Sequence, residues 1–92
     1  MAKKKVRRRR EERLSLYEGA TYRALQERLA QNVLRLRKAD DMSQEEAAHL
    51  CQMSTRLYQR AESEEANLTL ATIARICDGF SVDVQELFAR RK

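Results

Sequence analysis

The chain has 92 residues with no Trp, no Pro and two Cys, and its formal net charge is +5. This length suits one small domain with a tail, no segment approaches the roughly 20 apolar residues that span a membrane, and two cysteines make no disulfide framework. The basic start is not followed by the apolar stretch of a secretory signal peptide, so we expect a cytoplasmic protein.

The N-terminal tail carries all of the net positive charge. Residues 1–13 hold eight Lys and Arg and two Glu, a charge of +6, so the rest of the chain is close to neutral. Such a run is often a solvated segment that aids solubility. It can also be an arm that embraces DNA, or a nuclear import signal. The arm is preferred where a DNA-binding domain lies beside such a run, and its expected phosphate contacts are Lys3, Lys4, Lys5, Arg7, Arg8, Arg9 and Arg10.

A first helix is predicted between residues 22 and 38, where apolar residues recur at helical spacing. Thr21 is a candidate N-cap, and Asp40 and Asp41 follow the predicted end. The predicted inward face consists of Leu25, Leu29, Val33 and Leu36.

Residues 43–62 predict two short helices with a tight corner between them. Ser43 with Glu46 forms a capping-box pattern at the first helix, and Ser54 is a good cap for the second. Tyr58 and Ala61 give the second helix its inward face. The side chains left pointing outward are Thr55, Arg56, Gln59 and Arg60.

These outward side chains have the chemistry for reading DNA. Arg can fork onto guanine, Gln onto adenine, and Thr can meet a thymine methyl group or a phosphate. Two helices with this corner are typical of the helix-turn-helix, whose second helix lies in the major groove.

Two more helices are predicted after residue 68. Thr69 should cap the fourth, which ends at residues 79–81, and Asp83 with Glu86 should form a capping box for a short last helix. The predicted face of the fourth helix is Leu70, Ile73, Ala74, Cys77 and Phe80, and that of the last is Val84, Leu87 and Phe88.

The sequence offers no set of residues for catalysis or cofactor binding. It contains no nucleophile with a base and an acid beside it, and no Gly-rich phosphate loop. His49 is the single histidine, and Cys51 and Cys77 fall on inward faces, where cysteine acts as a small hydrophobe. We therefore expect neither an enzyme nor a metal or cofactor site.

Residues 29–87 resemble the Cro/C1-type (XRE) helix-turn-helix family of phage repressors and bacterial regulators. The resemblance implies an all-α, five-helix, lambda-repressor-like domain at residues 21–92, following a basic N-terminal arm at residues 1–20. The matching residues are Leu29, Val33, Leu36, Arg37, Ser43, Gln44, Ala48, Ser54, Glu62, Leu70, Ile73, Phe80, Val82, Val84 and Leu87.

The resemblance also implies roles for individual side chains. Gln44 would contact a phosphate and brace the side chain of Thr55, while Arg37 and Glu62 would form a salt bridge between the first and third helices. At the corner, where the family usually has Gly at positive φ, this chain has Gln52. The implied DNA-binding set of the domain is Gln44, Ser54, Thr55, Arg56, Gln59 and Arg60.

Two functions remain open at this point. The first is a sequence-specific transcription regulator, expected to be a repressor, that binds double-stranded DNA at the nucleoid as a homodimer. The contact between the two copies of this homodimer would use Val84 and Phe88, or Leu34 with residues 14–22. The second is a protein-interaction module, such as an antitoxin or bridging factor, whose partner is a toxin or the transcription machinery. Gln52 and the acidic residues 64 and 65 keep the second function open.

Overall fold

The structure, a computed structural model, describes residues 18–64 and 66–91. These ranges contain five helices and no strand, which confirms the all-α, five-helix prediction. The tail with its seven predicted phosphate contacts lies outside them, as does Glu65. In the part described, no helix has both the length and the apolar character needed to cross a bilayer. The helices are α1 (Ala20–Ala39), α2 (Gln44–Leu50), α3 (Thr55–Ala61), α4 (Leu70–Phe80) and α5 (Val84–Leu87).

Local sequence signals set the start of α2, α3 and α4. Ser43 Oγ accepts from the Glu46 N–H at 3.0 Å while the Glu46 carboxylate accepts from the Ser43 N–H at 2.8 Å, which confirms the capping box. Ser54 caps α3, and Thr69 caps α4, as predicted. The expectation of a Thr21 cap is wrong. The helix begins at Ala20, two residues before the predicted start, and its N-cap is Gly19, so Thr21 already lies inside its first turn.

The core lies where α2 and α3 meet the other three helices. Small residues on α2 allow close packing, and α4 approaches so tightly that a Cβ atom on Gly79 would stand 2.7 Å from Cys51 Sγ. Spacing this short leaves room only for a glycine hydrogen. The buried cluster is Leu29, Val33, Ala47, Ala48, Cys51, Tyr58, Ala61, Ile76 and Leu87.

The predicted inward face of α4 is partly wrong. Leu70 is 83% exposed and Ala74 is exposed as well, whereas Thr72 and Ile76 are buried. Gly79 lies against Leu50 and Cys51 at the end of α2, and Ile76, three residues before it, is fully buried, so the buried face of α4 centres on Ile76. Leu70 and Ala74 are four residues apart, so they share one face of the helix, and that face lies beside the buried one.

Other predicted apolar positions also face outward. Leu25 is 43% exposed because it precedes the part of α1 that the core covers, which begins at Leu29. Val84, at the start of α5, is 52% exposed, while Leu87 is fully buried.

Three residues other than glycine lie in the left-handed region among the described residues, and the first is Asp41, after α1, with φ 55°. Gln52, at the corner between α2 and α3, has φ 58°, which confirms that one residue there takes positive φ. Ser81 ends α4 with the same φ. The predicted capping box at α5 is wrong: Asp83 accepts from the Gln85 N–H, but the Glu86 carboxylate turns away and lies 3.8 Å from Arg35.

A buried amide ties the C-terminal segment to α1. Asn32 is fully buried, and its Nδ2 donates to the carbonyls of Leu87 and Ala89, both at 2.9 Å. Its Oδ1 accepts from Arg91 Nε at 2.7 Å. Asn32 is absent from the core predicted from the sequence. The available signal was its place three residues after Leu29, where a polar residue interrupts an apolar face.

Candidate nucleic-acid interface

Helix α3 is held by one face and presents the other to solvent. Tyr58 and Ala61 are essentially fully buried, whereas Arg56, Gln59 and Arg60 are exposed. The helix has seven residues, so these three side chains share about one and a half turns. The structure therefore gathers two guanidinium groups and one amide on a single outward face.

Two further residues of the predicted DNA-binding set lie at the N-terminal end of α3. Thr55 is half-buried, and Ser54 is exposed. The Ser54 hydroxyl accepts from the Leu57 N–H at 3.1 Å, so its first role is to start the helix. The hydroxyl keeps one proton and one lone pair beyond this capping bond.

Gln44 connects α2 to the outward face of α3. Its Nε2 donates to Glu62 Oε1 at 2.9 Å, and its Oε1 accepts from Gln59 Nε2 at 3.0 Å. The expected brace to Thr55 is wrong, because the brace goes to Gln59. Gln59 and Glu62 are three residues apart and so share the side of α3 that faces Gln44.

Below this amide pair lies the ion pair between α1 and α3. Arg37 Nε and Nη2 donate to the two oxygens of Glu62 at 2.6 and 3.1 Å, and Nη1 donates to the carbonyl of Met42 at 2.9 Å. The two side chains are only 15% and 8% exposed. A forked pair of this geometry fixes both distance and orientation.

The charges of this pair are stabilised by the surrounding hydrogen bonds. Burial by itself would raise the pKa of Glu62, but the hydrogen bonds from Arg37 and Gln44 outweigh it and hold that pKa below its ordinary value. The hydrogen bond to Glu62 likewise raises the pKa of Arg37. At neutral pH the site therefore contains a carboxylate and a guanidinium.

The described residues include two free cysteines, Cys51 and Cys77. Among residues 18–64 and 66–91, no group of three or more His, Cys, Asp or Glu could hold a metal ion. Burial raises the pKa of Cys51 to about 11 and also raises that of Cys77. Both are therefore thiols at neutral pH, and a thiol is a poor ligand and nucleophile.

The family comparison agrees with this geometry. Residues 33–87, more than half of the chain, match a family model described as helix-turn-helix. The match begins inside α1, includes all of α2 and α3, and ends at the last residue of α5. No curated protein and no solved structure gives a significant match to the chain.

Proposed function

The chain belongs to the Cro/C1-type (XRE) helix-turn-helix family, a family of DNA-binding regulators and not of enzymes, and from this premise we propose that it is a sequence-specific transcriptional repressor. Its α3 lies in the major groove. The observation that carries the proposal is the division of α3, with Tyr58 and Ala61 in the core and Arg56, Gln59 and Arg60 facing outward.

Each side chain on this face has a chemical role in the proposal. Arg56 and Arg60 each offer a donor fork to guanine, and Gln59 offers a donor and an acceptor to adenine. Thr55 contacts a thymine methyl group. At the edge of the face, the half-buried Gln44 and the exposed Ser54 contact phosphates, which set the register of the helix on the duplex.

Residues 1–20 form, in this proposal, a basic arm attached to a DNA-binding domain at residues 21–92. The arm's charge of +6 in residues 1–13 suits the phosphate backbone, because each phosphate that it neutralises releases condensed counterions. These contacts carry no base preference, so the arm adds affinity while α3 selects the sequence.

The proposed repressor is a homodimer located in the cytoplasm, at the nucleoid. One α3 reads about half of a site, and two copies facing successive major grooves would stand roughly 34 Å apart. Leu25, Leu70 and Val84 are exposed around an apolar groove of about 280 Å³ that α2 and α3 do not line. A second copy on this surface would cover the apolar side chains and leave α3 open, which supports pairing there.

Selection of bound duplexes from a random DNA library, near physiological salt, tests the proposal. The expected result is an enriched inverted repeat. Two matched variants accompany the wild type. With Arg56→Ala, the enrichment of the repeat should be weaker. With Arg75→Ala, which removes an exposed arginine of α4, the enrichment should be unchanged. Binding without enrichment would assign the affinity to the arm alone, and no binding would favour a protein partner.

Sedimentation of two further variants tests the dimer. Leu70→Ser should shift the chain toward monomer, whereas Ala71→Ser, a neighbouring exposed position, should not. An unchanged dimer in Leu70→Ser would place the contact elsewhere.

A further inference from the structure

The hydrogen bonds between α2 and α3 have a fixed direction. An ionised carboxylate can only accept hydrogen bonds, so Gln44 must turn its Nε2 toward Glu62. Its Oε1 then faces Gln59 and can only accept, so Gln59 must donate through its own Nε2. The distances of 2.9 and 3.0 Å fit this order. The charge of Glu62 thus determines which way two amides point.

We propose that Glu62 is a positioning residue for DNA recognition: acting through Gln44, it fixes the amide direction of Gln59 so that Gln59 reads adenine. The inference rests on the proposed function, in which α3 lies in the major groove. It assigns Gln44 a part in base selection as well as in phosphate contact.

The atoms that Gln59 has left match one base edge. With one Nε2 hydrogen used toward Gln44, it keeps a second hydrogen and its Oε1 on an exposed side chain. Adenine presents N7 as an acceptor and N6 as a donor, which completes a two-bond pair with this amide. Guanine presents two acceptors at its edge and can take only one bond from Gln59.

Holding the Gln59 amide in one orientation before DNA binds also increases its selectivity for adenine. A free Gln side chain loses rotamer entropy when it is held in one position. Here part of that loss has already occurred in the free protein, because Gln44 sits at the first residue of α2 behind a complete capping box. Glu62 is anchored in turn by two hydrogen bonds from Arg37.

The permanence of the carboxylate supports the same direction. The side chain of Glu62 is 8% exposed, and Arg37 and Gln44 hold its pKa below the ordinary value. A protonated Glu62 could donate as well as accept, and the order of the amides would then no longer be imposed. Near neutral pH this alternative is not populated.

Binding to the operator obtained by selection, and to its single-base variants, tests the inference. Gln59→Ala should lose the preference for adenine at one base pair by about tenfold. Gln44→Met, which has similar length but makes no hydrogen bond, should lower the same preference by about threefold or more. Preferences at the base pairs read by Arg56 and Arg60 should stay as they were.

A matched pair of variants separates this role from stability. Glu62→Gln replaces the carboxylate with an amide that can donate or accept, and should blur the adenine preference. Asn32→Leu lowers stability elsewhere, by removing the donor to the Leu87 carbonyl, and leaves Arg37, Glu62 and Gln44 in place. It should lower the melting temperature without changing the adenine preference, and Gln44→Met should melt close to the wild type.

Three outcomes would overturn the inference. If Gln44→Met weakens binding to all sequences alike, Gln44 is only a backbone contact, and the proposed function stands. If Gln59→Ala changes no base preference, Gln59 does not read a base. If the wild-type chain enriches no sequence at all, the proposed function itself fails, and the inference fails with it.

Discussion

Arg37 reaches from α1 to the end of α3 and holds both oxygens of Glu62, at 2.6 and 3.1 Å. The pair joins the helix that is proposed to read DNA to the longest of the five described helices. Because Glu62 also receives Gln44, one carboxylate orders groups from three helices. It connects the stability of the fold with the geometry of the outward face.

Loss of Arg37 should therefore be costly. Arg37→Met leaves a largely buried carboxylate without its counter-charge, and removing one partner of a buried pair costs about 3 kcal/mol or more. Urea unfolding would measure the loss. Arg35→Met is the control, because Arg35 lies 3.8 Å from Glu86 in a more exposed pair, and such pairs contribute about 1 kcal/mol or less. Equal losses in the two variants would contradict the assignment.

The same pair predicts an acid dependence. The folded-state pKa of Glu62 lies below its ordinary value of 4.5, so its contribution is complete above pH 4.5 and is lost as the pH falls through the folded pKa. Wild-type unfolding free energy should thus decline more steeply with acid than that of Arg37→Met. Urea titrations between pH 7 and 3 would compare the slopes, and parallel curves would refute the linkage.

Gly79 should not tolerate even a methyl group. In an ordinary helix Gly→Ala stabilises by about 1 kcal/mol, but here the new Cβ would lie 2.7 Å from Cys51 Sγ and 2.9 Å from its Cα. Overpacking of this kind costs about 1–3 kcal/mol, so the clash should win and lower the melting temperature. Adding Cys51→Ala should recover only part of the loss, because the backbone of residue 51 stays equally close. A more stable Gly79→Ala protein would contradict the packing.

Much of the fold follows from signals within a few residues. The caps at Ser43, Ser54 and Thr69 depend on a side chain and a backbone amide three residues away, so the sequence alone predicts them. The buried face of α4 could not be read this way. Its rotation depends on how closely Gly79 approaches Cys51, and these residues are distant in sequence.

The site shows the same division. The outward face of α3 follows from helical periodicity, since Tyr58 and Ala61 mark the opposite face. The hydrogen-bond partner of Gln44 does not follow from periodicity, because it depends on how α2 and α3 cross. The family resemblance implies that Gln44 braces Thr55, whereas in the structure Gln44 accepts a hydrogen bond from Gln59. The hydrogen bonds of the buried Asn32 amide could not be predicted for a similar reason, since its acceptors lie more than 50 residues away.

Asn32 should prove important for the C-terminal segment. Asn32→Leu keeps the volume but leaves the Leu87 carbonyl buried without its donor, which costs about 1–3 kcal/mol. In hydrogen-exchange measurements, Asn32→Leu should speed the exchange of the α5 amides relative to the wild type, and should affect the α2 amides less. Arg91→Ala, which removes only the bond to Asn32 Oδ1, should have a smaller effect. Unchanged protection of α5 in Asn32→Leu would exclude the clamp.

The two arginines of α3 should act on specific sites more than on DNA in general. Arg56→Ala and Arg60→Ala should each weaken operator binding by about 1–3 kcal/mol and relax the preference at one base pair. Both side chains are exposed, so melting temperatures should be nearly unchanged. Competition binding with single-base operator variants would measure this. Unaltered operator affinity in both variants would remove direct readout by α3.

The basic tail should act in the opposite way, on all DNA alike. Each phosphate contact adds about 0.9 to the slope of log affinity against log salt, so an arm that makes four contacts contributes about 3.6. Deleting residues 1–13 should lower operator and random-sequence affinity by the same factor and flatten the salt dependence.

A full-length control with residues 7–10 changed from Arg to Gln separates charge from length and should reproduce about half of the effect, since it removes four of the eight basic residues. Titrations between about 50 and 200 mM salt would measure both slopes. If the deletion leaves the slope as it was, the tail does not touch the duplex, and the phosphate contacts belong to the domain alone.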